Sequence, residues 1–243
     1  MRALTTGLAL SVLLATSWST AGSAAAGGTL TGIVRISKAP KPAPALPIVK
    51  DGTVCGREVP NESVVAGPDR GLANVVVSVK GLKPSGPLAP SKDAVLDQVG
   101  CRYIPHVQAA TVGTKMTLLN SDAVFHNVNA NRMEGTRTVT AFNVAMPFKG
   151  GKLPATLKTP GILKVRCDAG HTWMGAYVAV FDHPYFAVTD AQGRFRIADL
   201  PVGEHTVELW HEPVVAGGAP VVTTQVVKIT AGGTATMETN LDL

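Results

Sequence analysis

Four residues with metal-binding side chains stand at two places in this sequence. Cys167, His171 and Met174 share the run Cys-Asp-Ala-Gly-His-Thr-Trp-Met, and His126 lies well upstream in Ala-Val-Phe-His-Asn-Val. A thiolate, two imidazoles and a thioether form the ligand set of a mononuclear blue-type copper centre. The sulfur ligands suit Cu(I) and the imidazoles suit Cu(II), so one set can serve both oxidation states. These residues therefore predict a single copper ion and one-electron chemistry.

The N-terminal residues 1–26 have the composition of a secretory signal. Arg2 supplies a positive charge, the stretch from Leu4 to Trp18 is mostly apolar, and small residues follow up to Ala26. This order is typical of a cleaved signal peptide. The apolar stretch is too short and too interrupted by polar residues for a membrane span. The sequence therefore predicts a periplasmic or secreted protein without a membrane span.

The overall composition favours β-strands and argues against nucleic acid as a partner. Charged residues make up only 16% of the chain, whereas Val, Thr, Gly, Ala and Pro are abundant. Such a balance favours short strands and turns over helices. The formal net charge of +5 is spread along the chain without a cluster of Lys and Arg. A nucleic-acid-binding surface needs such a cluster, so we expect no nucleic-acid partner.

The chain has three cysteines, and their number calls for an explanation in an oxidising compartment. Cys167 is the odd one because of its metal-binding context, which leaves Cys55 and Cys101 as a possible disulfide. A second metal site built from Cys55, Cys101 and His106 is the alternative. Each of the copper-site residues also has an ordinary structural role, since cysteine and methionine are common core residues. A free thiol in an exported chain nevertheless favours the metal-binding interpretation.

Strand-like runs separated by turn residues recur through the chain, and this pattern indicates an all-β protein. A Pro-rich connector occupies residues 38–47, and the segment Asn131–Lys152 is weakly patterned, which predicts a loop or a short helix there. The predicted strands are Thr29–Ser37, Ala73–Lys80, His106–Thr111, Lys115–Asn120, Gly161–Arg166, Gly175–Phe181, Gly193–Ile197, His205–His211, Val221–Thr230 and Thr234–Leu241.

The last part of the chain, residues 184–243, resembles the carboxypeptidase regulatory-like module. The resemblance rests on Thr-Asp-Ala-Gln-Gly-Arg-Phe from Thr189 and on Leu-Pro-Val-Gly from Leu200. It implies a small prealbumin-like β-sandwich whose first two strands lie far upstream, from Gly28 and from Ala73. We therefore expect residues 27–92 to belong to this sandwich and residues 93–183 to be inserted into it. A plain tandem of β segments is the alternative.

The region Cys101–His183 resembles a cupredoxin. The resemblance rests on the run from Tyr103 to Asp122, on Phe-His-Asn-Val around the upstream histidine, on the hairpin from Ala155 to the ligand loop, and on Tyr-Val-Ala-Val-Phe as the closing strand. It implies a cupredoxin-like Greek-key sandwich over residues 93–183.

The cupredoxin resemblance also implies the roles of the site residues. His126, Cys167 and His171 would be the equatorial ligands and Met174 the weak axial one. Asn127 would support the site by tying the strand of His126 to the ligand loop, and Trp173 would shield the metal or form a docking patch. One departure concerns spacing, because three residues separate Cys167 from His171 where the closest blue-copper pattern has two. A binuclear centre is excluded because Cys167 is alone in its loop.

These expectations combine into an exported copper protein that carries single electrons between redox proteins such as a cytochrome or an oxidoreductase. His171, taken as the imidazole nearest to solvent, would be the exit for the electron. The sequence shows no Ser/His/Asp arrangement, phosphate-binding loop or haem attachment motif, so we expect no enzymatic activity. The alternatives are a copper storage or delivery protein and a cell-surface structural or ligand-binding β-sandwich protein.

Overall fold

The computed structural model describes residues 27–38, 43–84, 86–92, 94–134, 137–215 and 217–243. The predicted signal peptide 1–26 and residues 39–42 of the Pro-rich connector lie outside the described residues. Nearly all regular structure in the described part is β-strand, which confirms the all-β class. In that part no helix is long and apolar enough to cross a membrane.

The elements follow one another in this order: β1 (Gly28–Ile36), β2 (Leu46–Pro47), α1 (Gly52–Cys55), β3 (Glu58–Val59), a short 3₁₀ helix (Pro68–Arg70), β4 (Val76–Val79), β5 (Val95–Val99), β6 (Arg102–Ile104), β7 (Val107–Thr111), β8 (Lys115–Asn120), β9 (His126–Glu134), β10 (Arg137–Met146), β11 (Gly151–Thr156), β12 (Gly161–Arg166), β13 (Gly175–Phe181), β14 (Phe186–Val188), β15 (Arg194–Leu200), β16 (Gly203–His211), β17 (Val221–Ile229) and β18 (Thr234–Leu241).

Each strand expected from the sequence has a counterpart, but the segment Asn131–Lys152 is neither a loop nor a helix. It contains the end of β9, all of β10 and the start of β11. Strand β10 lies at the edge of its sheet and hydrogen-bonds to β9 alone. Most of its side chains are exposed. An edge strand with little burial on either face does not show the apolar alternation that marks a half-buried strand.

The central sandwich consists of strands β5 to β13, arranged in two sheets. One sheet has the order β10-β9-β12-β13-β7, and the other has the order β11-β8-β5-β6. Aliphatic side chains from both sheets, among them Leu96, Leu118, Val128, Leu163 and Val178, form one buried cluster. Alternate residues of β8 point into this cluster, as expected for strands with one buried face.

The N/C sandwich consists of strands from the two ends of the described chain. Its sheets have the orders β15-β1-β18 and β14-β4-β16-β17. Leu30, Val77, Leu209 and Ile229 are among the buried residues of its core. The chain leaves this sandwich after β4, builds the whole central sandwich, and returns at β14. The domain boundaries assigned from the sequence stay predictions.

Residues 46–59, here called the strap, lie against the central sandwich although they precede β4 in the chain. The strap is a small hairpin in which β2 pairs with β3 and α1 lies between them. Cys55 forms a disulfide with Cys101, with an S–S distance of 1.96 Å. Ile48 and Cys55 pack on the central core. The strap therefore adds a covering segment to one side of the central sandwich.

The two sandwiches meet across a small buried interface. Val76 of β4 packs with Val107, Tyr177 and Ala179 of the central sandwich. The rings of Tyr177 and Trp210 lie 5.2 Å apart, edge to face. Burial raises the pKa of the Tyr177 hydroxyl to about 12, and the charge of the nearby Glu212 adds to this increase. This phenol therefore stays neutral at the interface.

Candidate metal centre

The candidate ligands come together because three neighbouring strands begin or end at the same end of a sheet. His126 is the first residue of β9, Cys167 directly follows β12, and Met174 directly precedes β13. Strand β12 lies between β9 and β13 and runs antiparallel to both. The start of β9, the end of β12 and the start of β13 must therefore lie at the same end of the sheet. The loop with His171 joins β12 to β13 at that end.

The side-chain atoms of His126, Cys167 and His171 converge on one point. The Nδ1 atoms of the two histidines are 2.9 Å apart, and the Sγ atom of Cys167 is 3.6 Å from Nδ1 of His171. One ligand atom from each of the three residues lies within 4.8 Å of the others. Met174 is buried in the same core cluster as Cys167, and its backbone N–H donates to the carbonyl of His171.

A carboxylate holds the far side of each imidazole. Nε2 of His126 is 3.0 Å from Oδ2 of Asp122, and Nε2 of His171 is 2.8 Å from Oδ2 of Asp51. A neutral imidazole has one N–H and one lone pair, so an Nε2–H that donates to a carboxylate leaves the Nδ1 lone pair free. In this tautomer, the Nδ1 atom of each imidazole can donate its lone pair to a metal ion. This is the tautomer that a metal ligand requires.

The two carboxylates were missed by sequence reasoning. Asp122 belongs to the loop before β9 and also accepts the backbone N–H groups of Gly100 and Cys101, each at 2.8 Å. Its position four residues before His126 is a local signal that could have pointed to it. Asp51 belongs to the strap, far from the ligand loop in sequence, and nothing in the sequence pattern joins the two.

Burial and neighbouring charges favour neutral side chains in this centre. Burial lowers the pKa of His126, the hydrogen bond that His126 donates to Asp122 opposes that shift in part, and the nearby His171 lowers the pKa further. Burial also raises the pKa of Tyr103, and the adjacent Cys167 raises it more. Tyr103 therefore keeps its hydroxyl proton and donates it to the backbone carbonyl of Asn127.

Asn127 and Trp173 contact the centre from behind the ligands. Oδ1 of Asn127 accepts the backbone N–H of Asp168 at 3.0 Å, which joins β9 to the ligand loop. The ring of Trp173 lies 5.1 Å from the His171 imidazole. Its indole N–H donates to the carbonyl of Cys101 at 3.0 Å. Both side chains therefore restrict movement of the ligand loop.

The ligand loop needs glycine directly before its histidine. Gly170 has a φ of +92°, a conformation that side chains other than glycine rarely adopt. A Cβ atom at this position would also lie 3.2 Å from Cδ of Lys50 in the strap. Glycine therefore permits both the turn and the close approach of the strap.

The expectation that His171 lies near solvent is wrong. Its exposed fraction is 0%, the same as that of His126. Cys167 and Met174 are also buried. The reason is the strap, which places Asp51 against the outer nitrogen of the imidazole and Lys50 against the ligand loop. Spacing within the loop contains no information about a segment that covers it from elsewhere in the chain.

The remaining histidines lie outside this centre. His106 contacts the carbonyl of Gly175 through Nδ1 and Glu212 through Nε2. Burial lowers its pKa, but the hydrogen bond and charge of Glu212 outweigh burial, so the pKa is raised overall. Among the described residues, no metal-binding group includes His106 together with the cysteines of the disulfide. Nε2 of His205 donates to the backbone carbonyl of Pro201 at 2.7 Å.

Comparisons with known proteins give partial similarities only. No protein-family model matches the chain, and no curated protein matches it. A purple cupredoxin from Nitrosopumilus maritimus is 24% identical over 37% of this chain and 100% of its own, with a TM-score of 0.32. The copper-containing nitrite reductase of Thermus scotoductus SA-01 is 21% identical over 42% of this chain and 24% of its own, with a TM-score of 0.31.

Amicyanin is a further solved structure with partial similarity. The reduced Cu(I) form of an amicyanin mutant is 20% identical over 43% of this chain and 98% of its own, with a TM-score of 0.31. Each of these similarities covers less than half of this chain.

Proposed function

We propose that this chain is an exported cupredoxin-like protein that binds one copper ion and carries single electrons between extracytoplasmic redox partners. One observation carries the proposal. Two imidazole Nδ1 atoms and one thiol converge within 4.8 Å in a buried site. A buried cluster of this composition has the donor set of a mononuclear copper centre. When bound, copper supplies reversible one-electron redox chemistry.

The chain itself would contribute a fixed arrangement of ligands. His126 and Cys167 stand at the ends of adjacent hydrogen-bonded strands, so the separation of their side chains is set by the sheet. Asp51 and Asp122 lie within hydrogen-bond distance of the outer imidazole nitrogens and would hold the rings in place. Asn127 joins the strand to the ligand loop. Ligands held in this way need little rearrangement when an electron arrives or leaves.

The burial of the ligands also supports a route for the electron through the neighbouring aromatic residue. Trp173 is half-buried, contacts His171 and lines a cavity of about 270 Å³ together with Met174, Tyr177 and His106. A redox partner such as a cytochrome or an oxidoreductase would approach on this side. The proposal includes no catalytic residue and no enzymatic activity.

Copper storage or delivery is the second candidate function. The observation that favours it is the complete burial of His126 and His171. Ligands without access to solvent exchange their metal slowly, which suits retention as well as electron transfer. Reversible reduction separates the two functions, since a carrier must be reduced and reoxidised without losing its copper.

The test is an optical and EPR spectrum of the purified mature protein after addition of Cu(II). We expect an intense visible thiolate-to-copper band and one copper per chain in the wild type, and no such band in Cys167→Ser. His183→Gln is the matched control, because His183 is buried outside the site and its loss should leave the band unchanged. The absence of the band from the wild type would exclude the proposed centre.

A cyclic redox titration of the copper-loaded protein completes the test. We expect the band to disappear on reduction and return fully on reoxidation. Loss of copper during the cycle would instead favour storage or delivery.

A further inference from the structure

The strap, residues 46–59, is attached to the candidate metal centre at several points. Lys50 Nζ donates to the carbonyl of Ala169 in the ligand loop at 2.5 Å. Asp51 holds Nε2 of His171. Cys55 forms the disulfide with Cys101, whose backbone carbonyl accepts the indole N–H of Trp173. Three residues of the strap therefore contact either the ligand loop or Cys101, which holds Trp173 of that loop.

Asp51 has an unusual position for an aspartate at the start of a helix. It occupies the N-cap of α1, where an aspartate side chain normally accepts the first free N–H groups of the helix. Here the side chain makes no capping hydrogen bond. Its carboxylate bonds to His171 instead, while its backbone carbonyl accepts N–H groups from Val54 and Cys55.

The backbone of Asp51 is also set for this contact. Its φ of +55° lies in the left-handed region, which Asp and Asn adopt more readily than most residues. The chain turns sharply there and brings the carboxylate over the imidazole. This backbone conformation does not let the Asp51 side chain cap the helix, which is only one turn long. It places the carboxylate in contact with His171.

We propose that the strap is a closure over the metal centre and that Asp51 is the positioning residue for His171. This inference rests on the proposed function. Asp51 holds the imidazole in one orientation and one tautomer, so that Nδ1 faces Cys167. The disulfide and Lys50 keep the strap in place. The closure slows the release of copper and prevents direct contact between His171 and a redox partner.

The first experiment compares Asp51→Gly with Asp69→Gly. Both aspartates have a left-handed backbone, with φ of +55° and +53°, so glycine relieves rather than adds strain in each case. Asp69 is exposed and belongs to the 3₁₀ helix rather than to the strap, which makes it the matched control. Asp51→Asn is the conservative variant, because its amide oxygen still accepts a hydrogen bond and asparagine tolerates the same backbone conformation.

The readout in the copper-loaded protein is the rate of copper loss to an excess of a strong chelator. We expect Asp51→Gly to lose copper at least about tenfold faster than the wild type, as is typical when a residue that orients a ligand is removed. Asp69→Gly should match the wild type, and Asp51→Asn should retain most of the slow release. Equal rates for Asp51→Gly and the wild type would overturn the proposal.

The readout in the metal-free protein is the tautomer of His171 measured by ¹⁵N NMR. We expect Nε2–H in the wild type and a mixture of tautomers in Asp51→Gly. This measurement needs no copper, so it separates the two proposals. If the wild type failed to bind copper, the proposed function would be lost while the effect of Asp51 on His171 would still be seen. An unchanged tautomer in Asp51→Gly would overturn the positioning role.

A second variant removes the disulfide that attaches the strap to the central sandwich. The double substitution Cys55→Ala with Cys101→Ala removes the disulfide without leaving a free thiol beside the site. We expect faster copper release from this variant, in the same direction as for Asp51→Gly, with the visible band retained. Release at the wild-type rate from a variant that keeps its near-UV circular dichroism would contradict the closure.

Discussion

The central sandwich and the N/C sandwich both have cores of closely packed aliphatic side chains, but they differ in the polar groups that they bury. The central sandwich buries Asn120, Asp122, His126, Asn127 and His171 at or near one end. A buried polar group costs free energy unless it is hydrogen-bonded. These groups bond to one another and to nearby backbone, which makes this end of the molecule an ordered polar network around a thiol.

Among its described residues, the N/C sandwich has no comparable cluster around a thiol, and its buried Glu212 contacts His106 of the central sandwich. Its buried Thr189 illustrates the difference. The hydroxyl of Thr189 donates to the carbonyl of Leu72 at 2.7 Å and accepts the N–H of Val75 at 3.0 Å. Both hydrogen bonds of this hydroxyl go to the backbone, so the side chain stabilises the backbone locally. Among the described residues, the buried polar cluster around the thiol therefore belongs to the central sandwich.

Matched leucine-to-alanine substitutions in the two cores test this difference between the sandwiches. They have the largest expected effect on the free energy of unfolding. Leu118 of the central sandwich and Leu209 of the N/C sandwich are both fully buried. Replacing either by alanine should lower the free energy of unfolding by about 2–5 kcal/mol, because a cavity remains. Only Leu118→Ala should also shift the loss of the copper band to lower denaturant concentration. Denaturant titration followed by the copper band and by far-UV circular dichroism measures both effects.

Identical shifts of the copper band in both variants would contradict this division. Such a result would mean that the two sandwiches unfold as one cooperative unit, so that damage to either core reaches the metal centre.

The ion pair between His106 and Glu212 joins the two sandwiches and gives a smaller, pH-dependent effect. Both side chains are largely buried at the interface. We expect His106→Gln to lower the free energy of unfolding by about 1.5–3 kcal/mol at acidic pH, the range for hydrogen bonds to charged groups. Urea titrations of the wild type and His106→Gln between about pH 6 and pH 9, on either side of the ordinary histidine pKa, measure the difference in stability.

The direction of the pH dependence follows from the raised pKa of His106. The folded protein holds this proton more tightly than the unfolded chain, so the stabilisation is fully present below the ordinary histidine pKa of about 6.5. It is lost as the pH rises through the folded pKa. The difference between His106→Gln and the wild type should therefore shrink towards pH 9. His205→Gln is the control, and a constant difference for His106→Gln would contradict the ion pair.

The tight turn between β14 and β15 gives the smallest effect and concerns the N/C sandwich alone. Oδ1 of Asp190 accepts the N–H groups of Gln192 at 2.9 Å and Arg194 at 2.8 Å. Asp190→Ala should lower the free energy of unfolding by about 1 kcal/mol and leave the copper band unchanged. Asp182→Ala, an exposed aspartate outside this turn, is the control for thermal unfolding. A changed copper spectrum in Asp190→Ala would show coupling between the sandwiches.

Features with a local cause were predictable from the sequence. Cys167, His171 and Met174 share one loop, so their spacing was visible without a structure. The run Thr-Asp-Ala-Gln-Gly-Arg-Phe from Thr189 also has a local cause, because Gly193 has a φ of +74° and a Cβ there would lie 2.1 Å from the carbonyl of Val34. Alternation of apolar residues likewise marked the strands with one buried face.

The contacts between the strap and the ligand loop were not predictable from the sequence. Asp51 meets His171 only because the strap folds back over the ligand loop, and no short-range pattern records that path. The burial of His171 has the same cause. Strand β10 was not predicted because, in its exposed position at the sheet edge, apolar and polar residues do not alternate in the usual way. The sequence therefore predicted the candidate ligands but not the segment that encloses them.

The pairing of β1 with β18 has a consequence for the order in which the molecule can form. These strands run parallel, and Thr29 pairs with Thr234. The sheet that contains them needs residues from both ends of the described chain, whereas every strand of the central sandwich is present once Phe181 has been made. Contacts between residues so distant in sequence form slowly. The middle of the chain can therefore fold before β1 has found its partner strand β18.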